Sequence, residues 1–272
     1  YSLFRCIEEM CCCEDFAVGR LGGEMECQAI HYQKLTKHYR ALLQTCPLEI
    51  FYCGRAGEDE VASAMRDALS ALPRGGIDYD LGTDVRMNAL EEAPRYVEEE
   101  LPVSQGKLVI GFRLGECMED PDIAALHVFN SVYGSGTSSK LFMNVREKLS
   151  LCYYASSGLM KYKDVMLVSS GVEFDRVEQA KTEILAQLDQ CRTGAFGEEE
   201  LEWARRSVVS SLTTTLDAQG RLEDYWLGQS AAGLTEAPEE LARRVEQVTR
   251  EQVVSAAQKL KLDTVYFLKG KE

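Results

Sequence analysis

Histidine is scarce in this chain. Three occur in 272 residues, at positions 31, 38 and 127. His31 and His38 are about two helical turns apart, whereas a metal pair on one helix needs a spacing of three or four. Neither HExxH nor HxxEH occurs. His127 falls in an apolar helical pattern with Ile123, Leu126 and Phe129. All three read as packed or hydrogen-bonded structural residues, so no metal site is expected in the chain itself. CxxC is absent as well, which argues against a zinc ribbon or a thioredoxin-like site. No apolar run approaches the roughly 18 residues of a membrane span. Basic residues are outnumbered 30 to 44 and the net charge is -14. A nucleic-acid or anionic-membrane partner is therefore not expected, since either needs a basic face. The acidity would at most steer a cationic ligand.

What is present supports a folded domain. Hydrophobic residues make up 45% of the chain, enough for a core, and a charged fraction of 27% is ordinary for a globular protein. Ten cysteines are scattered, and Cys11, Cys12 and Cys13 are consecutive, a poor arrangement for bridges among themselves. Cys53, Cys152 and Cys191 lie in apolar runs, where a free thiol acts as a small hydrophobe. Reduced thiols in a cytoplasmic protein are the expectation. The first residue is Tyr1 and a helical pattern runs from it to Met10, which suggests a chain that begins inside a longer parent.

Hydrophobic periodicity predicts helices at 1–10, 28–44 and 58–72, with a short strand at Leu48–Cys53 between the last two. The pattern is lost from 77 to 92, a candidate linker. Strand signals follow at 95–103 and 107–115, the latter with Leu108, Ile110, Phe112 and Leu114 on one face. Helices are predicted from Pro121 to Tyr133 and from Ser138 to Leu149, the second capped by Ser138 or Ser139. Residues 151–160 and 164–172 read as a hairpin turning near Lys161–Lys163. Helices at 175–192, 198–216, 219–232 and 238–259 come next, the last broken near Val248. A strand at Thr264–Leu268 closes the chain. The order predicts an α+β fold, an antiparallel sheet with helices packed on one face.

An internal echo bears on domain organisation. Residues 28–54 run helix, short connection, strand, and so do residues 250–270. Read as two ends of one repeated unit, they make 1–76 the tail of a first copy, 77–92 a linker and 93–272 a whole second copy. A single strand in the first piece cannot satisfy its backbone groups. Its sheet partners should come from a missing upstream segment or another molecule.

Few residues suggest chemistry by themselves. Gly134 to Lys140 lacks the GK[ST] ending of a phosphate loop and reads as a loop feeding a helix cap. Its glycines leave backbone groups exposed to an extended chain. The acidic clusters at 91–92, 98–100 and 198–200 read as solvated faces, the last also favouring a helix N-terminus. Cys152 falls in a strand with no histidine near in sequence, so packing is the better reading than nucleophile.

The run from Val132 to Tyr153, VYGSGTSSKLFMNVREKLSLCY, resembles the M16 metallopeptidases, the insulinase, pitrilysin and mitochondrial processing peptidase family. The second half of those proteins carries a similar Gly-rich turn, then Ser-Ser-Arg-Leu-Phe, then Arg-Glu-x-x-Gly-Leu-Ala-Tyr. Lys140 stands for the first Arg, Ser150 for the Gly and Cys152 for the Ala. The closing strand Asp263–Gly270 and the segment Leu48–Gly54 resemble family counterparts, so the likeness reaches from about residue 28 to the end. It is strongest to bacterial insulinase-like proteins that occur in Firmicutes as paired paralogues.

The resemblance implies the LuxS/MPP-like metallohydrolase fold and a non-zinc, C-terminal part of a peptidase that encloses its substrate in a chamber. It implies substrate contact by Arg146 and Tyr153, near the scissile bond, with Gly134 and Gly136 in the adjoining loop. Such a chain would not be catalytic alone. Zinc would come from an N-terminal half or a partner, and the partners implied are a peptide and either an M16 paralogue or a second copy. The other class of reading is a non-enzymatic scaffold or peptide-binding subunit on the same fold that pairs with a catalytic paralogue.

Overall fold

A computed structural model describes residues 1–19, 22–79, 86, 88–89, 91–115, 123–160 and 163–271. The chain forms two compact units. One comprises Tyr1–Val18, Asp84–Leu216 and Glu236–Glu272; the other comprises Gly19–Thr83 and Asp217–Thr235. Residues 1–18 belong to the same compact unit as the later part of the chain.

The first unit is α+β. Its five strands are β1 (Arg95–Leu101), β2 (Gly106–Arg113), β3 (Cys152–Met160), β4 (Val165–Val172) and β5 (Lys261–Gly270). Their spatial order is β1-β5-β2-β4-β3. The pairs β2/β4, β2/β5 and β3/β4 are antiparallel, but β1 runs parallel to β5, so the sheet is mixed. Sequence could not reveal this, since β1 and β5 meet only when the two ends of the unit come together. The expected hairpin forms as β3 and β4, while Lys161 and Tyr162 at its turn lie outside the described residues, as does Pro121.

Alternation sorts side chains to two faces. Leu108, Ile110, Phe112, Met166, Val168, Val265 and Phe267 enter the main core. There they meet α5 (Ile123–Tyr133), α6 (Val177–Arg192), α7 (Glu198–Leu216), α9 (Pro238–Glu246) and α10 (Arg250–Lys259). Val109, Val165, Leu167, Tyr266 and Leu268 face the other way, against Cys6, Ile7, Met10 and Cys11. The helix α1 (Ser2–Met10) thus covers the second sheet face, which a sequence reading with helices on one face alone did not place.

The end of α1 is held by buried charge. Arg113, 1% exposed, donates to Glu14 at 2.8 Å, Asp263 at 3.1 Å and the carbonyls of Met10 at 2.6 Å and Arg86 at 2.7 Å. Lys163 donates to the other Glu14 oxygen. Burial pushes the Glu14 carboxyl up, but the hydrogen bonds from Lys163, the Arg86 N–H and Arg113 outweigh it and leave its pKa below the usual range.

The second unit holds α2 (Glu24–Gln28), α3 (Tyr32–Thr45), α4 (Glu58–Ser70) and α8 (Gln219–Ala231). Leu48–Cys53 is no strand: no sheet ladder includes it among the described residues. The correction has the cause foreseen in the sequence, because an extended segment becomes a strand only when a neighbour pairs its backbone.

Candidate functional site

The predicted helix 138–149 is instead a π-helix over Leu141–Lys148. Its wider winding appears in the Leu149 N–H, which donates to the Asn144 carbonyl at 3.1 Å. Such windings are uncommon and concentrate at functional sites. Ser139 caps the entry, its Oγ donating to the Gly136 carbonyl at 2.7 Å and accepting from Phe142 N–H at 3.4 Å. After the π-helix the chain reverses through Ser150, whose φ of 48° is left-handed, and enters β3. That conformation gives a physical reason for glycine at this position in the resembling pattern.

Arg146 from the π-helix and Tyr153 from β3 line one pocket of about 680 Å³. Its other walls are Glu147, Ser150, Leu151, Cys152, Glu173, Asp175 and Arg176. The Arg146 guanidinium lies 4.6 Å from the Phe142 ring centroid and 3.5 Å from the Glu147 carboxylate. At that distance the cation is attracted by the face of the ring. The ion pair is solvent-exposed and so worth little. Tyr153 is exposed, and its hydroxyl donates to Glu173. That bond and the negative charge of Glu173 raise the phenol pKa, so it stays a neutral hydrogen-bonding group. Burial raises the Cys152 thiol pKa, against any use as a thiolate nucleophile.

Gly134 and Gly136 do not line this pocket. Gly134 is where α5 meets β3: Ser157 N–H donates to its carbonyl at 3.0 Å, and a Cβ there would lie 2.4 Å from Ser157 Oγ. Gly136 has φ of 108°, a turn conformation that favours glycine. Lys140 is buried, 3.3 Å from Gln190 and 3.4 Å from Glu200, and not in a phosphate-loop arrangement.

Glu173 and Arg176 were not singled out by sequence. They reach the pocket through the hairpin register, in which Cys152 opposes Val172, and no local motif encodes that register. The one available signal was the predicted hairpin itself, which puts the residues just after its second strand beside those just before its first.

A zinc ion, implied by the M16 resemblance, does not fit the described residues, among which no three of His, Cys, Asp and Glu group to hold a metal. His31 is committed locally, its Nδ1 accepting from the Lys34 N–H at 3.4 Å as the N-cap of α3. No described helix is long and apolar enough to cross a membrane.

Comparison with known proteins gives the family and the fold. Residues 29–208 match the family model described as the peptidase M16 inactive domain. The chain is 34% identical over its full length to "Probable inactive metalloprotease YmfF" of Bacillus subtilis, spanning 63% of that protein. Its fold superposes on a conserved protein from Enterococcus faecalis with a TM-score of 0.86 at 25% identity, covering all of this chain and 63% of the other. An M16 inactive domain from Pseudomonas fluorescens gives 0.75 at 18% identity, covering all of this chain and 65% of that one. The chain thus spans less than two thirds of these relatives, and it belongs to the M16 peptidase inactive-domain family.

Proposed function

We propose that this chain is the non-zinc part of an M16-type peptidase and contributes a substrate-enclosing wall, with Arg146 and Tyr153 as its peptide contacts. The observation that carries the reading is their shared pocket, reached from two different elements. A guanidinium presents several fixed donors to a peptide carbonyl whose oxygen gains negative charge during hydrolysis. The Tyr153 hydroxyl donates its hydrogen bond to Glu173 and offers its oxygen lone pairs to a peptide N–H. It becomes a donor to a carbonyl only by exchanging that partner.

In this reading zinc chemistry belongs to an upstream segment of a longer parent or to a paralogous subunit, in the cytoplasm, and a second copy of this chain is the other pairing. The test is to assay zinc content and peptide cleavage of the chain alone, then with a catalytic M16 subunit added. Weak zinc and no cleavage alone, with cleavage of the pair reduced by Arg146→Ala and Tyr153→Phe, are expected. Stoichiometric zinc with robust cleavage by the chain alone would overturn the division of labour.

A non-enzymatic peptide-binding subunit is the second reading. It is favoured by the word "inactive" in the name of the Bacillus relative. In that case the chain binds peptide or a catalytic paralogue, and Arg146→Ala and Tyr153→Phe leave the cleavage by that paralogue unchanged.

A further inference from the structure

The pocket holding Arg146 and Tyr153 is shaped by a segment to which neither belongs. After β4 the chain makes one tight 3-10 turn over Phe174–Arg176, closed by Arg176 N–H donating to the Glu173 carbonyl at 3.1 Å. Both ends of this turn touch the Arg146–Tyr153 segment. Glu173 accepts a hydrogen bond from the Tyr153 hydroxyl. Arg176 Nη1 donates to the carbonyl of Ser150 at 3.2 Å. Ser150 is the reversal point between the two contact residues and holds a left-handed conformation that a serine rarely adopts. The turn is itself seated. The Phe174 ring comes within 3.3 Å of where a Cβ would sit on Gly106 and 3.0 Å of where one would sit on Gly270. Those glycines start β2 and end β5, so Phe174 rests on two strands of the sheet.

We propose that the turn Glu173–Arg176 is a positioning bracket: Glu173 fixes the Tyr153 phenol and Arg176 fixes the Ser150 reversal, so that Arg146 and Tyr153 are held at one spacing for an extended peptide. The proposal rests on the peptide-contact reading above. Its logic is that of a supporting shell. A binding geometry is maintained only when the backbone that carries it is locked, and here the lock joins two segments far apart in sequence. Ser150 makes the lock necessary. A glycine would take φ near 48° without strain, whereas serine needs a contact to hold it there. Arg176 supplies that contact through a charge-assisted hydrogen bond.

The test uses the whole 272-residue chain and four variants: Arg176→Ala, Ser150→Gly, the double variant, and Glu173→Gln. Affinity is read by fluorescence anisotropy with fluorescein-labelled, heat-unfolded β-casein. Backbone order is read by hydrogen exchange over residues 149–153, and the Tyr153 phenol by 13C NMR titration. Arg176→Ala is expected to weaken casein binding about tenfold, the size of one lost charge-assisted hydrogen bond, and to speed exchange over 149–153. Adding Ser150→Gly should restore both to within about twofold, because glycine holds the reversal unaided. Glu173→Gln should lower the Tyr153 midpoint and weaken binding while leaving exchange at 149–153 unchanged.

Equal losses from Arg176→Ala in the wild-type chain and in the Ser150→Gly variant would overturn the proposal. So would a fall in melting temperature with no change in affinity or exchange. Should Arg176→Ala not fold, Arg176→Gln is read in its place. If wild-type chain binds no casein, the peptide-contact reading fails separately. The bracket is then judged on exchange and the Tyr153 titration, and unchanged values in the variants would overturn it.

Discussion

The two compact units contain the same local order, helix then extended segment, with opposite outcomes. In the first unit, α10 leads into β5, which lies between β1 and β2 and has a ladder on each side. Val253, Ala256 and Ala257 of α10 are buried. In the second, α3 leads into Leu48–Cys53, which has no ladder among the described residues. Tyr32, Leu35, Tyr39 and Leu42 of α3 remain exposed, as do Leu48, Ile50 and Tyr52. Helices satisfy their own backbone and so form in both places; a strand exists only through its neighbours. The main-core residues all come from the first unit. The contrast is between an element with its tertiary context and one without it.

Each unit carries one of the two tryptophans, Trp203 in α7 and Trp226 in α8. Trp226→Phe leaves a reporter of the sheet-bearing unit, and Trp203→Phe leaves one of the helical unit. The largest expected effect is from Arg113→Ala, which takes the guanidinium from between Glu14 and Asp263 in a buried site and leaves Lys163 paired with Glu14. Loss of about 3–5 kcal/mol is expected from breaking such a network, read as a lower urea midpoint at Trp203. A loss under about 1 kcal/mol would mean that the network is solvated in solution.

A matched pair sharpens the contrast. Ile110 is fully buried in β2, and Ile50 is half exposed in the unpaired segment. Ile110→Ala should cost roughly 2–5 kcal/mol and Ile50→Ala no more than about 0.5 kcal/mol. Similar costs at the two sites would show that Leu48–Cys53 is packed in solution, and the comparison between the units would break down.

The same contrast explains what sequence could and could not reveal. Leu108, Ile110, Phe112 and Leu114 alternate, and they do enter one core. The helices at 198–216 and 238–259, with the break near Val248, follow from period and caps, and Val248 falls between α9 and α10. Arg146 and Tyr153 were singled out through a resemblance, and both line one pocket. Whatever depends on distant pairing was hidden. The parallel β1/β5 contact joins residues from opposite ends of the first unit. Packing of α1 on the second sheet face joins Met10 to Gly111, where a Cβ would lie 2.6 Å from the Met10 sulfur. The Arg176–Ser150 bond requires the hairpin register. The π-helix was invisible because its residues have ordinary helical propensity, which does not separate a π from an α winding.

Charge in the sheet-bearing unit gives a pH test. Asp164 immediately precedes the second hairpin strand with φ of 54°, and its Oδ1 is buried without a hydrogen-bond partner among the described residues. Burial raises its pKa to about 6, opposed by Lys163. A carboxyl whose folded pKa lies above its unfolded value of about 3.9 weakens the fold as it ionises. The penalty is absent at lower pH, grows through the interval up to about 6 and is complete above it. Asp164→Asn should therefore be near neutral at acid pH and stabilising above about pH 6, by at most on the order of 3 kcal/mol, read at Trp203. Asparagine also tolerates a left-handed backbone. A gain that does not vary with pH would assign the effect to the backbone alone, and a signal at Trp226 would deny that it belongs to the sheet-bearing unit.

The smallest effect compares the caps of the two echoing helices. Thr249 begins α10 with a reciprocal pair: its side chain accepts from Gln252 N–H at 3.4 Å, and Gln252 Oε1 accepts from Thr249 N–H at 2.8 Å. His31 begins α3 with only one such bond, from Lys34 N–H at 3.4 Å. Thr249→Ala should cost about 1 kcal/mol, since α10 is locked into the core and its end cannot fray without disturbing Val253. His31→Ala should cost no more than about 0.5 kcal/mol, because α3 buries nothing that fraying would expose. Urea midpoints at Trp203 and Trp226 measure the two separately. Equal costs would mean that local capping sets the stability of both helices and that core context does not, contrary to the lesson drawn from the two units.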